Sequence, residues 1–111
     1  MSVEPESTIV TGRPAPDRAA VQARIGAASR ELESLGIRKV RLFGSAARDE
    51  LRPDSDVDIL VEFDGPTRFR AFSAARRILE QATGRRVDLV TSAALKPALA
   101  ARIAPELVDA A

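Results

Sequence analysis

The chain contains no cysteine and no histidine. Without cysteine there is no disulfide framework, no thiolate zinc site and no thiol nucleophile. Without histidine the usual general base and the commonest transition-metal ligand are missing. Chemistry near neutral pH is left mainly to carboxylates, hydroxyls, arginine and recruited ions. Excess charge of one sign is absent too: 17 Lys+Arg against 16 Asp+Glu leave a net charge of +1, which attracts neither nucleic acid nor an anionic membrane in bulk. Direct nucleic-acid binding is not expected, and any charge chemistry must be local. No apolar run approaches the roughly 20 residues of a membrane span, and the polar N-terminus lacks the apolar stretch of a signal peptide. A cytoplasmic protein without a membrane role is the expectation. At 111 residues the chain has room for one small domain and one site.

What is present reads in order. Residues 1–16 mix Pro, Ser, Thr and Gly without periodicity and read as a disordered tail, leaving 17–111 as the domain. Asp17 is a plausible helix N-cap, followed by Val21, Ile25, Ala28, Leu32 and Leu35 at spacings of three and four, with Gly36 as the stop. A short β-run over residues 39–43 leads into Gly44-Ser45 and a brief helix that Pro53 prevents from passing about residue 51. The second strand, "VDILVEF", is too apolar to be one-sided and is expected to be central. Thr67 is placed to cap a helix with the apolar stripe Phe69, Phe72, Ala75, Leu79 and Ala82, ended by Gly84. A third strand over residues 85–90 precedes a broken helical tail capped by Thr91 or Ser92, with Pro97 inside it. The order α-β-α-β-α-β-α describes an α/β (α+β) domain: a small mixed three-stranded sheet packed with helices. The crossover helix makes the second and third strands parallel neighbours.

The chemistry is carried by interruptions of these patterns. Asp56 and Asp58, two apart in an extended segment, point to one face with Cα atoms roughly 6–7 Å apart. They repel unless cations neutralise them, and hard oxygen donors of this kind select Mg²⁺ or Mn²⁺, as two ions about 3.5–4 Å apart sharing a carboxylate. Asp88 interrupts the third strand in the same way and completes a three-carboxylate cluster if the strands are neighbours. The plain alternative makes Asp54 to Asp56 turn residues and Asp58 a strand-end solubiliser. A calcium loop starting at Asp54 fails, because Ile59 and Gly65 stand where that loop needs glycine and glutamate. Gly44-Ser45 joins a strand to a helix start, where glycine allows close approach of a ligand, serine offers a hydroxyl and free N–H groups can cradle phosphate. Arg48 adds a fork of donors. A simple helix cap is the competing reading of that pair, and with no second glycine and no Lys-Ser/Thr it is not a P-loop.

In combination, "FGSAARDELRPDSDVDILVEF" resembles the signature of the minimal nucleotidyltransferases of the DNA polymerase beta superfamily, in which a Gly-Ser turn precedes a Ser-Asp-x-Asp strand and a later single-carboxylate strand. The likeness runs from the first helix through "VDLVTSAALKP". It implies the nucleotidyltransferase fold, with Gly44, Ser45 and Arg48 holding a triphosphate and Asp56, Asp58 and Asp88 as catalytic carboxylates binding two Mg²⁺ ions, Mn²⁺ as the substitute. Asp49 stands where many members have glycine, which puts an acid near the phosphate route. The resemblance also implies a role as antitoxin to a HEPN-domain toxin, by transfer of AMP from ATP to a hydroxyl of that partner. A non-catalytic antitoxin that neutralises its partner by contact is the alternative. The small size favours an acceptor carried on another protein, with homo- or hetero-oligomerisation left open. The first helix and the Phe69–Phe72 segment are candidate contact surfaces. The four arginines of "RRILEQATGRR", Arg76, Arg77, Arg85 and Arg86, read mostly as a solvated helix face.

Overall fold

The computed structural model describes residues 13–111. Asp17 sits in extended conformation and accepts the Ala20 N–H at 2.9 Å, opening helix α1, Arg18–Ala27. The single helix expected up to Gly36 breaks at Ala28, and a second short helix, α2, covers Ser29–Ser34. Gly26 and Ser29, both weak helix formers, bracket the break. Val21, Ile25 and Leu32 remain on the buried side, so the first helix's aliphatic stripe is core and not a free contact surface.

Strand β1, Ile37–Phe43, starts two residues earlier than the expected run. It feeds α3, Gly44–Ala47, and then a loop through Pro53 to β2, Val57–Phe63, whose span agrees with the apolar run. Helix α4, Phe69–Thr83, follows. Its cap position is Arg68, with no side-chain cap bond, in place of the expected Thr67. Ala75, Leu79 and Ala82 are buried, whereas Phe69, the first member of the expected stripe, is 82% exposed. Strand β3 spans Val87–Thr91; Thr91 Oγ1 accepts the Ala94 N–H across the 3-10 turn Ser92–Ala94, and α5, Pro97–Ile103, begins on its proline. A further 3-10 turn, Ala104–Glu106, leads to a two-residue strand, β4, Val108–Asp109.

Among the described residues the sheet therefore has four strands in the order β3-β2-β1-β4, and the expected count of three is corrected. A two-residue strand is too short to show periodicity and forms because β1 offers an open edge. As expected, β2 is interior and pairs parallel with β3 across the α4 crossover; it pairs antiparallel with β1. Alternation gives the sheet two unlike faces. Val57, Ile59 and Val61 of β2, Val40 and Leu42 of β1, and Val87 and Leu89 of β3 are buried in one cluster with Val21, Ile25, Leu32, Ala75 and Leu79 of the helices. The opposite face carries Asp58 and Asp88.

Two segments depart from the expected solvated character. Arg85, read as part of a solvated arginine face, is 8% exposed, and its guanidinium donates to Ala15 O at 2.8 Å, Arg52 O at 2.8 Å and Ser55 O at 2.9 Å. Residues 1–12 of the expected tail lie outside the described residues. Of the remainder, Ala15 is fully buried and its N–H donates to Thr83 O at 2.7 Å.

Candidate active site

The site is built where β1 ends and β2 and β3 begin. In the parallel β2–β3 register Asp58 stands directly beside Asp88, so the two carboxylates share one face of the sheet. In the antiparallel β1–β2 register Asp58 lies opposite Phe43, which delivers the next residue, Gly44, against the Asp58 side chain. Gly44 has φ +68°, and a Cβ added there would overlap Asp58 Oδ2 and lie 3.1 Å from Asp58 Cγ. Glycine is required on both counts, backbone conformation and space. The Gly-Ser pair is thus more than a helix start: its backbone packs against the central carboxylate.

The electrostatics single out Asp58. Its carboxyl is pushed up to about 6, first by desolvation, then by the charges of Asp88 and Asp56 and by a carboxyl–carboxylate hydrogen bond with Asp88; Arg48 opposes the shift. Asp56 immediately precedes β2, and its Oδ1 accepts from Arg86 Nε at 3.1 Å. Arg48 Nε donates to Glu50 Oε1 at 3.0 Å and its Nη1 lies 3.5 Å from Glu106 Oε1. The Glu50 hydrogen bond and the charges of Glu50, Glu106 and Asp58 raise the Arg48 guanidinium further, against its partial desolvation. The same Glu106 Oε1 accepts the Gly44 N–H at 2.7 Å. Glu106 and Glu50 were not legible as site residues. Glu106 lies in a broken helical tail, 62 positions from Gly44, and no local pattern marks it.

Asp49, which stands where the family pattern has glycine, explains itself here. It has φ +60°, the left-handed conformation that glycine adopts freely. Its Oδ1 accepts the Arg18 N–H at 2.9 Å, one of the unpaired donors at the start of α1, while Arg18 Nη1 donates to Ala47 O at 2.9 Å. The acid is engaged in fastening α1 to the site loop.

The donor chemistry suits a hard divalent cation in part. Asp58 and Asp88 are adjacent oxygen donors whose mutual repulsion a cation would relieve. Among the described residues no three carboxylates already converge as a metal-ready group. Asp56 is held aside by Arg86 in a pair whose side chains are 45% and 76% exposed, and exposed pairs of that kind contribute about 1 kcal/mol or less. Releasing Asp56 from Arg86 therefore costs little.

Residues 25–109 match the model of the nucleotidyltransferase domain family. The chain belongs to that family. This nucleotidyltransferase is 38% identical over 89 residues to the protein adenylyltransferase MntA of Thermococcus cleftensis, covering 79% of this chain and 90% of the relative. A solved minimal nucleotidyltransferase superposes with a TM-score of 0.66 at 35% identity, covering 82% of this chain and 89% of that one. The MNT antitoxin complexed with the tri-AMPylated HEPN toxin of Shewanella oneidensis shares the fold, with a TM-score of 0.63 at 19% identity over 85% of this chain and 71% of that one. The fold expected from the Gly-Ser and Asp-x-Asp pattern is the one found.

Proposed function

We propose that this nucleotidyltransferase transfers AMP from ATP to a hydroxyl of a partner protein, with Mg²⁺ as cofactor, and that the partner is a HEPN-domain toxin which it silences as antitoxin. The observation that carries the reading is the placement of Asp58 beside Asp88, against the Gly44 backbone and within the field of Arg48. The relatives' activities point the same way: the archaeal relative is a protein adenylyltransferase and the fold neighbour is a toxin's antitoxin.

In this reading Gly44 and Ser45 receive the triphosphate through backbone N–H groups and the Ser45 hydroxyl, and Arg48 faces its charge. Asp56, Asp58 and Asp88 hold the metal. When bound, Mg²⁺ neutralises phosphate charge and lowers the pKa of the acceptor hydroxyl. The acceptor oxygen forms a bond to the α-phosphorus, the bond from that phosphorus to the bridging oxygen breaks, and pyrophosphate leaves. The hydroxyl proton passes to a carboxylate, for which Asp88 is placed beside Asp58. No histidine is needed, and the chain has none.

The acceptor belongs on another chain. The described residues form one core around a single sheet, and the sequence has no tyrosine to serve as acceptor. Phe72, Leu89, Leu95 and Leu99, the last 43% exposed, line an open apolar groove, and Phe69, one helical turn before Phe72, is 82% exposed. Exposed apolar area of that kind on so small a body suits protein contact. Among the described residues no helix is long and apolar enough to cross a membrane, and use of ATP suits a cytoplasmic protein.

The test is incubation with labelled ATP, Mg²⁺ and a purified HEPN-domain toxin. Label should move to the partner with the wild type and not with Asp58→Asn; equal absence of label from both would overturn the reading. The engagement of Asp56 by Arg86 favours one alternative, a binding-only antitoxin. That alternative predicts full protection of cells by Asp58→Asn.

A further inference from the structure

The carboxylate of Glu106 occupies donors that the nucleotide would need. Its Oε1 accepts the Gly44 N–H at 2.7 Å and lies 3.5 Å from Arg48 Nη1, and Glu50 takes the Arg48 Nε at 3.0 Å. Glu106 is not a wandering surface side chain. It sits in the 3-10 turn Ala104–Glu106, next to Pro105, and the residues after it are anchored on β1 by the Leu42–Val108 and Arg41–Asp109 pairs and by the Ala110 N–H to Val40 O bond of 2.9 Å. The fold thus delivers an anion to the backbone N–H beside Asp58. One N–H has one proton to donate, so a phosphate oxygen and Glu106 cannot both take it in full. Arg48 faces two glutamates, so a polyanion must compete with both for its guanidinium.

We propose that Glu106 is an intramolecular competitor for the triphosphate: it closes the Gly44 and Arg48 donors in the nucleotide-free protein, must be displaced as ATP binds, and thereby sets ATP affinity. The inference rests on the reading above that Gly44 and Arg48 meet the triphosphate. The same competition acts on pyrophosphate, whose charge is concentrated at those donors, and weakens its retention. It does not act on adenosine, which has no phosphate.

The test measures binding of MgATP, Mg-pyrophosphate and adenosine to the full chain by calorimetry for wild type, Glu106→Gln and Arg48→Ala. Glutamine keeps an oxygen for the Gly44 N–H and removes the charge, so the turn is preserved. MgATP and Mg-pyrophosphate should bind about tenfold tighter to Glu106→Gln, with adenosine binding unchanged, and MgATP should bind more weakly to Arg48→Ala. Unchanged or weaker MgATP binding to Glu106→Gln, with the loss in Arg48→Ala intact, would overturn the competition alone. Unchanged binding to Arg48→Ala would instead overturn the triphosphate reading on which it stands. Glu106→Ala, which removes the anion with a smaller side chain, must shift MgATP affinity in the same direction, and it serves in place of Glu106→Gln should that variant fail to fold.

Discussion

Replacing Gly44 by alanine probes the contact on which the site depends. Two penalties act together. An alanine held at φ +68° loses about 1–2 kcal/mol relative to glycine's freedom in the left-handed region. Its Cβ also overlaps Asp58 Oδ2 and stands 3.1 Å from Cγ, so the Asp58 side chain must leave its rotamer or the loop must withdraw, at about 0.5–1.5 kcal/mol. A destabilisation of about 2–3 kcal/mol lowers the melting temperature of a domain this size by about 10–20 °C. Activity should fall further than stability, because a displacement of about 1 Å at a reacting group reduces rate about 100-fold. Circular-dichroism melts give the first quantity. AMP transfer at a temperature where the variant is folded gives the second. Gly65→Ala is the control: it too has positive φ, at +102°, but a Cβ there meets nothing within 4 Å. It should lose stability and keep transfer per folded molecule. A Gly44→Ala protein that melts within about 2 °C of wild type and transfers AMP within about twofold would refute the close packing of Gly44 on Asp58.

Other consequences are equally concrete. Because the folded pKa of Asp58, about 6, lies above its unfolded value, the native state binds the extra proton: stability of the chelator-treated protein should be greatest below about pH 4 for this group and fall as pH rises to about 6. Screening of this half-buried carboxyl holds the effect to about 1 kcal/mol, and urea titrations across that range should show it in wild type and not in Asp58→Asn. Asp49→Gly exchanges a helix-end hydrogen bond for relief of a positive φ and should change stability by less than about 1 kcal/mol, whereas Asp49→Ala loses the bond without the relief and should be lower by about 1–2 kcal/mol; equal melts would refute the role given to Asp49. Arg85→Met leaves three carbonyls without their donor and should destabilise by about 2–4 kcal/mol, with Arg85→Lys in between; a melt unchanged in Arg85→Met would show that the loop before Asp56 is held by other means.

Much of this was legible because it is local. A carboxylate interrupting an apolar strand reports its own face by alternation, and the register that sets Asp58 beside Asp88 agrees with that local signal. Asp17 as an N-cap and Gly84 as a helix end follow from backbone groups within one turn. The failures have a common origin. Arg85 reads as solvated because arginine usually is, and only the convergence of Ala15, Arg52 and Ser55 carbonyls makes its burial favourable. Strand β4 is two residues long, below the length at which any period shows. Phe69 fits the helical spacing of the α4 stripe, yet at the first position of the helix it projects beyond the core.

The order of residues along the chain was enough to determine which of the longer segments extend, which coil, and which face of a strand a carboxylate takes, since each depends on neighbours a few positions away. Which atoms meet was decided by tertiary packing: the Asp49 carboxylate on the Arg18 N–H across 31 positions, and Glu106 on the Gly44 N–H across 62. A hydrogen bond is satisfied by whichever partner the packed core brings within about 3 Å, and that choice leaves no trace in local spacing.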